Sequence, residues 1–430
     1  MKTFRGRCWD KKPLRRRCRM RRRSSMPDEA IAPRRDPMTE ARSLRILILL
    51  HMPLQRDFGG SRVQLELAEL WRSGGHTVEV FDLNAAFPNL SHSLWATLTR
   101  PHFSKKARQY VRQQGDRFDV IDAHQGNLPF TKRELGITGL LVARSVGMYP
   151  LYHAFEHQRG RQGPKPRSWQ GWIVRWLLAW RDRHEVRRCL TSFRQADLIN
   201  LPNPAEQYYL EQTLHLGQKC RVFPFGLSAA RRQALGTVLR DPAQRLGRPV
   251  VTLIGTWCDR KGSQDWGTII RQVHAVRPEV RFRFLGTRSP RSVVLRDLAL
   301  PDGDWLEVIP NYDSEDLPHL LITTTVGAFP SYIEGFGFAV LEKLAAGIPT
   351  VAYDIPGPQT MLNPVDPALL VPVGDAIALA AQLLAILNLA PDDYRTLAHR
   401  CHTVAADFAW ERIAADTLTA YRAALAALNP

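Results

Sequence analysis

Two short apolar runs, about 200 residues apart, most constrain the architecture. Leu44–Leu50 reads LRILILL and Pro249–Gly255 reads PVVTLIG. A run without polar alternation suits a strand buried on both faces, as in a parallel sheet covered by helices. After the first run come the loop Asp57-Phe58-Gly59-Gly60, helical apolar spacing over Val63–Trp71, a stop at Gly74-Gly75 and an alternating strand His76–Phe81. That strand-loop-helix-strand order builds doubly wound sheets. Phe118–Ala123, Leu140–Arg144 and Leu198–Leu201 continue the first series. Arg281–Leu285, Trp305–Ile309, Thr323–Phe329 and Thr350–Tyr353 continue the second. A chain of 430 residues suits two such α/β domains better than one core.

The expected organisation is a basic tail over 1–43, a first domain over 44–226, a connection over 227–248, a second domain over 249–407 and a terminal helix over 408–428. The tail lacks apolar periodicity and holds 15 Lys/Arg against 5 Asp/Glu, a large part of the net charge of +18. It reads as disordered, either a binding arm or a dispensable extension. A basic balance suits nucleic acid, an anionic membrane or a phosphate-rich ligand. Because the charge concentrates in a tail with no reading motif, no nucleic-acid partner is expected. No apolar run reaches the roughly 20 residues of a spanning helix, and no secretory signal is evident. The six cysteines are scattered without a CxxC pair, which fits a reducing cytoplasm.

The chemistry concentrates in Thr323–Tyr353, TTTVGAFPSYIEGFGFAVLEKLAAGIPTVAY. A strand runs into a loop bearing Glu334-Gly335-Phe336-Gly337. A helix then starts near Phe338, stops at Gly347 and leads into another strand. Loop glycines let backbone approach a ligand, and the free N–H groups of a helix N-terminus favour phosphate. Glu334 in the loop and Glu342 one turn into the helix suit a hydroxyl-rich ligand, since carboxylates accept hydrogen bonds from sugar hydroxyls. The alternative for Glu342, a plain preference for the first helical turn, does not explain the glycines.

EGFGFAVLEKLAAGIP resembles the Glu-x7-Glu signature of the retaining family 4 glycosyltransferases. The resemblance implies a GT-B architecture, in which two Rossmann-like doubly wound domains face each other across a cleft. It further implies that Glu334 lies at the donor sugar, that Glu342 binds the ribose, and that Gly335, Phe336, Gly337 and Phe338 present backbone to the donor. Ile254-Gly255-Thr256-Trp257-Cys258-Asp259-Arg260-Lys261-Gly262 is similar to the family's G-R-x4-K-G, whose basic residues hold the donor diphosphate. Lys261 and Gly262 match. Thr256 stands at the arginine position, so Arg260 is expected to supply the charge. Gly59 and Gly60 match a loop that meets donor and acceptor, with Arg144 nearby in the cleft. Where the family often has R-S-H-G, this chain has Arg144-Ser145-Val146-Gly147, so His124 or His153 would have to replace the histidine. Asp302-Gly303-Asp304 has the form of a metal-nucleotide motif but is expected to be a turn.

The implied function is retaining transfer of a sugar from a nucleotide-sugar donor to a saccharide acceptor, lipid-linked or polysaccharide, with no metal and no cofactor. The alternatives are a non-catalytic nucleotide-sugar-binding protein of the same fold and a glycosidase, which also uses two carboxylates but would not need the Lys261 loop. Residues 155–195 stand apart. Trp169, Trp172, Trp176 and Trp180 share one helical face, flanked by Arg175, Arg181 and Arg183. They are either ordinary core or an in-plane helix at an anionic membrane surface, which would place a cytoplasmic protein peripherally at the inner membrane.

Overall fold

The computed structural model describes residues 42–54, 59–88, 102–162, 169–239 and 241–428. Residues 1–41 of the tail and Asp57-Phe58 of the first glycine loop lie outside the described residues. Two six-stranded, all-parallel sheets carry the structure. The first contains β1 (Arg45–Leu49), β2 (Thr77–Phe81), β3 (Val120–His124), β4 (Leu140–Arg144), β5 (Leu198–Leu201) and β6 (Cys220–Val222), in the order β2-β1-β3-β4-β5-β6. The second contains β7 (Val250–Ile254), β8 (Arg281–Leu285), β9 (Leu306–Ile309), β10 (Val326–Phe329), β11 (Thr350–Tyr353) and β12 (Leu370–Val371), in the order β12-β11-β10-β7-β8-β9. The fold is thus α/β with two doubly wound sheets. The continuous apolar runs have the burial they require: Ile46 to Leu49 and Val250 to Ile254 are all buried.

Between β4 and β5 the chain makes two helices, Tyr149–Gln162 and Trp169–Gln195, where a doubly wound unit needs one. The connection 227–248 is not a loose tether. It holds the helix Ala229–Gly236, capped by Ser228, and short 3-10 turns. Leu227 and Ala409 form a bridge, so the two crossing segments run side by side. The helix Trp410–Leu428 then packs on the first domain, where the Trp71 indole donates to Ala414 O at 3.2 Å. Among the described residues no single helix is long and apolar enough to cross a membrane.

One buried polar network ties that helix to the first sheet. Arg144 Nη2 reaches Asp122 Oδ2 at 2.7 Å and the Tyr421 hydroxyl at 2.8 Å. The hydroxyl also accepts from Asn200 Nδ2 and donates to Asp122. Three neighbouring strands therefore present an acid, a guanidinium and an amide to one tyrosine. Burial raises the Tyr421 pKa well above its ordinary value, which keeps it a neutral hydroxyl. Removing one partner strands the other charge in the core. Arg144→Ala should destabilise the fold by about 3–5 kcal/mol and Tyr421→Phe by about 1–3 kcal/mol, both measured by the urea midpoint of the wild type and variants.

Candidate functional site

In the second sheet the strand order reverses between β7 and β10. Ligands of doubly wound sheets bind outside the carboxyl ends of the strands at such a reversal. The loop after β7 carries Gly255 to Gly262, and the loop after β10 carries Pro330 to Gly337. Both open into a cleft of about 460 Å³ whose other wall comes from the first domain, through Gly59, Gly60, Arg62, Val146 and Tyr152. The first sheet also reverses, between β1 and β3, and Gly59 and Gly60 begin the helix that follows β1.

Glu334 is the centre of the cleft. Its Oε1 accepts from Arg260 Nη1 at 2.6 Å and from Lys261 Nζ at 2.7 Å. Burial alone would push its pKa up. Lys261 and then Arg260 outweigh that and hold it below the ordinary carboxylate range. Arg260 also lies over the Tyr152 ring at 5.5 Å and Lys261 over the Phe329 ring at 5.1 Å, which fixes both cations. Gly262 makes this turn possible: its φ is +76°, and a Cβ there would meet Pro330 O at 2.1 Å.

Glu342 lies in the helix Phe338–Ala345 and lines the same cleft. Its Oε1 is shared, at 3.1 Å each, by Arg62 of the first domain and Arg231 of the connecting helix. Arg62 also stacks on Phe338 at 5.0 Å. Arg62, Arg260 and Lys261 line the cleft and Arg231 backs Glu342 from beneath it, so four cations surround two carboxylates, a surplus suited to an anion. Phe338 and Ala339, whose first-turn N–H groups have no intrahelical acceptor, line the same space.

The first domain holds the Glu334 loop directly. Gly335 N donates to the Tyr152 hydroxyl at 2.9 Å, and Gly335 O accepts from Asn203 Nδ2 at 2.6 Å. A Cβ on Gly335 would lie 2.6 Å from Gly147 Cα, so the two backbones meet at a point no side chain can share. Beside Glu334 a second cavity of about 300 Å³ opens. Glu334 and Tyr152 line it with Leu151, Phe155, Tyr332 and Ile333, a mainly apolar wall.

The cleft brings together Glu334, Glu342, Arg260, Lys261, Gly255, Thr256, Gly335, Phe336, Gly337, Phe338, Gly59 and Gly60. Gly262 supports it from the turn. Three residues read as candidates lie elsewhere. Arg144 is committed to Asp122 and Tyr421 inside the first domain, because a basic residue at a strand end can turn into the core when an acid on the next strand receives it. His124 is buried against the His51 ring at 4.7 Å, and burial holds its pKa well below the ordinary value. His153 stacks on His157, with the Tyr149 ring tilted against its other side. None of the three lines the cleft. Val146 does, with its side chain against Gly60. Asp302 pairs with Arg291 at an exposed turn. Sequence reasoning missed Arg62, Arg231, Tyr152 and Asn203. Arg62 had one signal, its place two residues after the glycine pair; the others depend on how the domains meet.

Lys343 is a fully buried amine beneath this site. It donates to Ala328 O at 3.2 Å and lies 5.8 Å over the Phe329 ring. Burial, and then the charge of Lys261, lower its pKa to about 7, with Glu342 opposing. A lysine whose folded pKa falls below its unfolded value weakens the fold most below the folded pKa. That penalty is relieved as pH rises from about 7 towards the unfolded value. Lys343→Met should therefore raise Tm more at pH 6 than at pH 9, measured by calorimetry at both values.

Residues 248–389 match the family described as glycosyl transferases group 1. The chain is 29% identical over 276 residues to O-antigen chain mannosyltransferase B of Escherichia coli, which covers 56% of this chain and 71% of that protein. It is 33% identical over 143 residues to the D-inositol 3-phosphate glycosyltransferase of Salinispora tropica, but spans only 29% of that protein's length. Among solved structures, sucrose-phosphate synthase from Thermosynechococcus elongatus superposes with a TM-score of 0.67 at 21% identity, over 89% of this chain and 100% of that one. Anabaena HepE in complex with UDP and glucose gives 0.56 at 16% identity, over 87% and 99%. Residues 248–389 are thus similar to the group 1 glycosyltransferases, and the whole chain has an α/β two-domain GT-B fold.

Proposed function

We propose that this protein is a retaining glycosyltransferase that moves a sugar from a nucleotide-sugar donor to a saccharide acceptor, lipid-linked or polysaccharide. The observation that carries the reading is the convergence of Arg260 and Lys261 on Glu334 beside a helix N-terminus. A diphosphate entering there meets two fixed cations and backbone donors. As the sugar leaves, charge develops on the diphosphate, and donors already aimed at it are worth about 3–4 kcal/mol each. That neutralisation requires no metal. Glu342, held by Arg62 and Arg231, is assigned to the ribose hydroxyls, and Glu334 to the sugar and the reaction centre. Retention of configuration is carried over from the Glu-x7-Glu resemblance.

The acceptor is assigned to the apolar cavity beyond Glu334, whose wall suits an acceptor with a hydrophobic part. The O-antigen chain and the inositol 3-phosphate in the names of the relatives above fit a saccharide or polyol acceptor. A lipid-linked acceptor would place the protein peripherally at the inner face of the membrane. Val146 in place of a histidine favours the second reading, a donor-binding protein that does not transfer.

A radiolabelled transfer assay run in EDTA, beside donor binding by calorimetry, tests both readings. Lys261→Ala and Glu342→Ala should weaken nucleotide-sugar binding about tenfold or more, the loss of one charge-assisted hydrogen bond. Glu334→Ala should lower turnover far more than affinity. Wild-type rates in Glu334→Ala and Lys261→Ala would contradict the assignment. Activity lost in EDTA and restored by manganese would contradict the metal-free step. Donor binding without any transfer would favour the second reading.

A further inference from the structure

The helix Trp169–Gln195 carries an unusual surface. Trp169, Trp176 and Trp180 are 71%, 66% and 60% exposed, so these three are not core. The side chains of Trp172 and Arg175 lie outside the described residues. At about 100° per residue the three indoles fall within one narrow stripe, and the exposed Arg183 and Arg187 continue it toward the helix C-terminus. Exposed aromatics on one stripe mark a surface that meets something.

The stripe runs into a cationic cavity. Trp180 stacks on His184, and His184 stacks on His102, each at 5.9 Å. His102 and His184 line an opening of about 640 Å³ together with Lys105, Arg108, Arg187 and Arg188. The Arg108 guanidinium lies 4.8 Å over the Phe130 ring, and its Nε is buried without a partner among the described residues, as is Nε of Arg188. Glu185 pairs with Arg188 at 2.8 Å. Among the described residues no carboxylate pairs with Lys105, Arg108 or Arg187. A cavity with a surplus of guanidinium and ammonium groups, and with donor N–H groups left over, is complementary to a phosphate. Indoles beside it suit the boundary between headgroups and acyl chains.

We propose that this cavity and the tryptophan stripe form one docking surface for an anionic phospholipid bilayer, with a lipid phosphate in the cavity and the indoles in the interface. The assignment rests on the peripheral placement proposed above and names the surface that achieves it. No residue of the donor cleft takes part.

Flotation of the full chain with vesicles of phosphatidylcholine, with and without phosphatidylglycerol, tests it. Wild type should float with the anionic vesicles. Lys105→Ala combined with Arg187→Ala should lower the bound fraction on the order of tenfold or more, since each basic residue at an anionic surface contributes about fivefold. Trp176→Ser combined with Trp180→Ser should lower it comparably. All four side chains are exposed, and an unchanged Tm confirms folding. A loss in one double variant alone, or in neither, overturns the joint surface while leaving peripheral placement intact, because residues 1–41 are present in every sample. A wild type that never floats overturns both.

Discussion

The part-buried carboxylate of Glu334, shared by Arg260 and Lys261, is the interaction on which the cleft depends. A carboxylate removed from water is stable only with compensating charge. The two cations supply it, and the carboxylate in turn holds them where a diphosphate would need them. The loops that carry these groups leave adjacent strands at the sheet reversal, so the topology sets their separation before any ligand arrives. Gly262 then lets the Lys261 turn pass within contact of Pro330.

The same cleft exists only because the domains meet. Glu342 receives one arginine from the first domain and one from the connecting helix, and Gly335 is held by Tyr152 and Asn203. A donor bound there would touch both domains, so its binding is coupled to their apposition. The terminal helix reinforces the closure from the far side by inserting Tyr421 into the Asp122–Arg144 pair.

Much of this was legible in the sequence, for identifiable reasons. Leu44–Leu50 and Pro249–Gly255 announced themselves because strands buried on both faces carry no alternation. The Glu334 loop was legible because glycines, a helix start and two acids fall within a few residues of one another. The edge strands Cys220–Val222 and Leu370–Val371 are too short for any period to show. Arg144 was read into the site because nothing local reveals that Asp122, on a neighbouring strand, would claim it. Arg62 and Arg231 were missed for the complementary reason: their partner, Glu342, lies more than a hundred residues away. The four-tryptophan face was visible as a pattern, but whether it points inward or outward is decided only by packing.

Thermal denaturation against UDP, GDP and ADP shows whether the cleft receives a nucleoside diphosphate. A ligand that binds the folded state at a hundred times its Kd adds about 2.7 kcal/mol of stability. A saturable rise in Tm is expected with at least one of the three, strongly reduced in Lys261→Ala. No rise with any of them, or an equal rise in that variant, would contradict it.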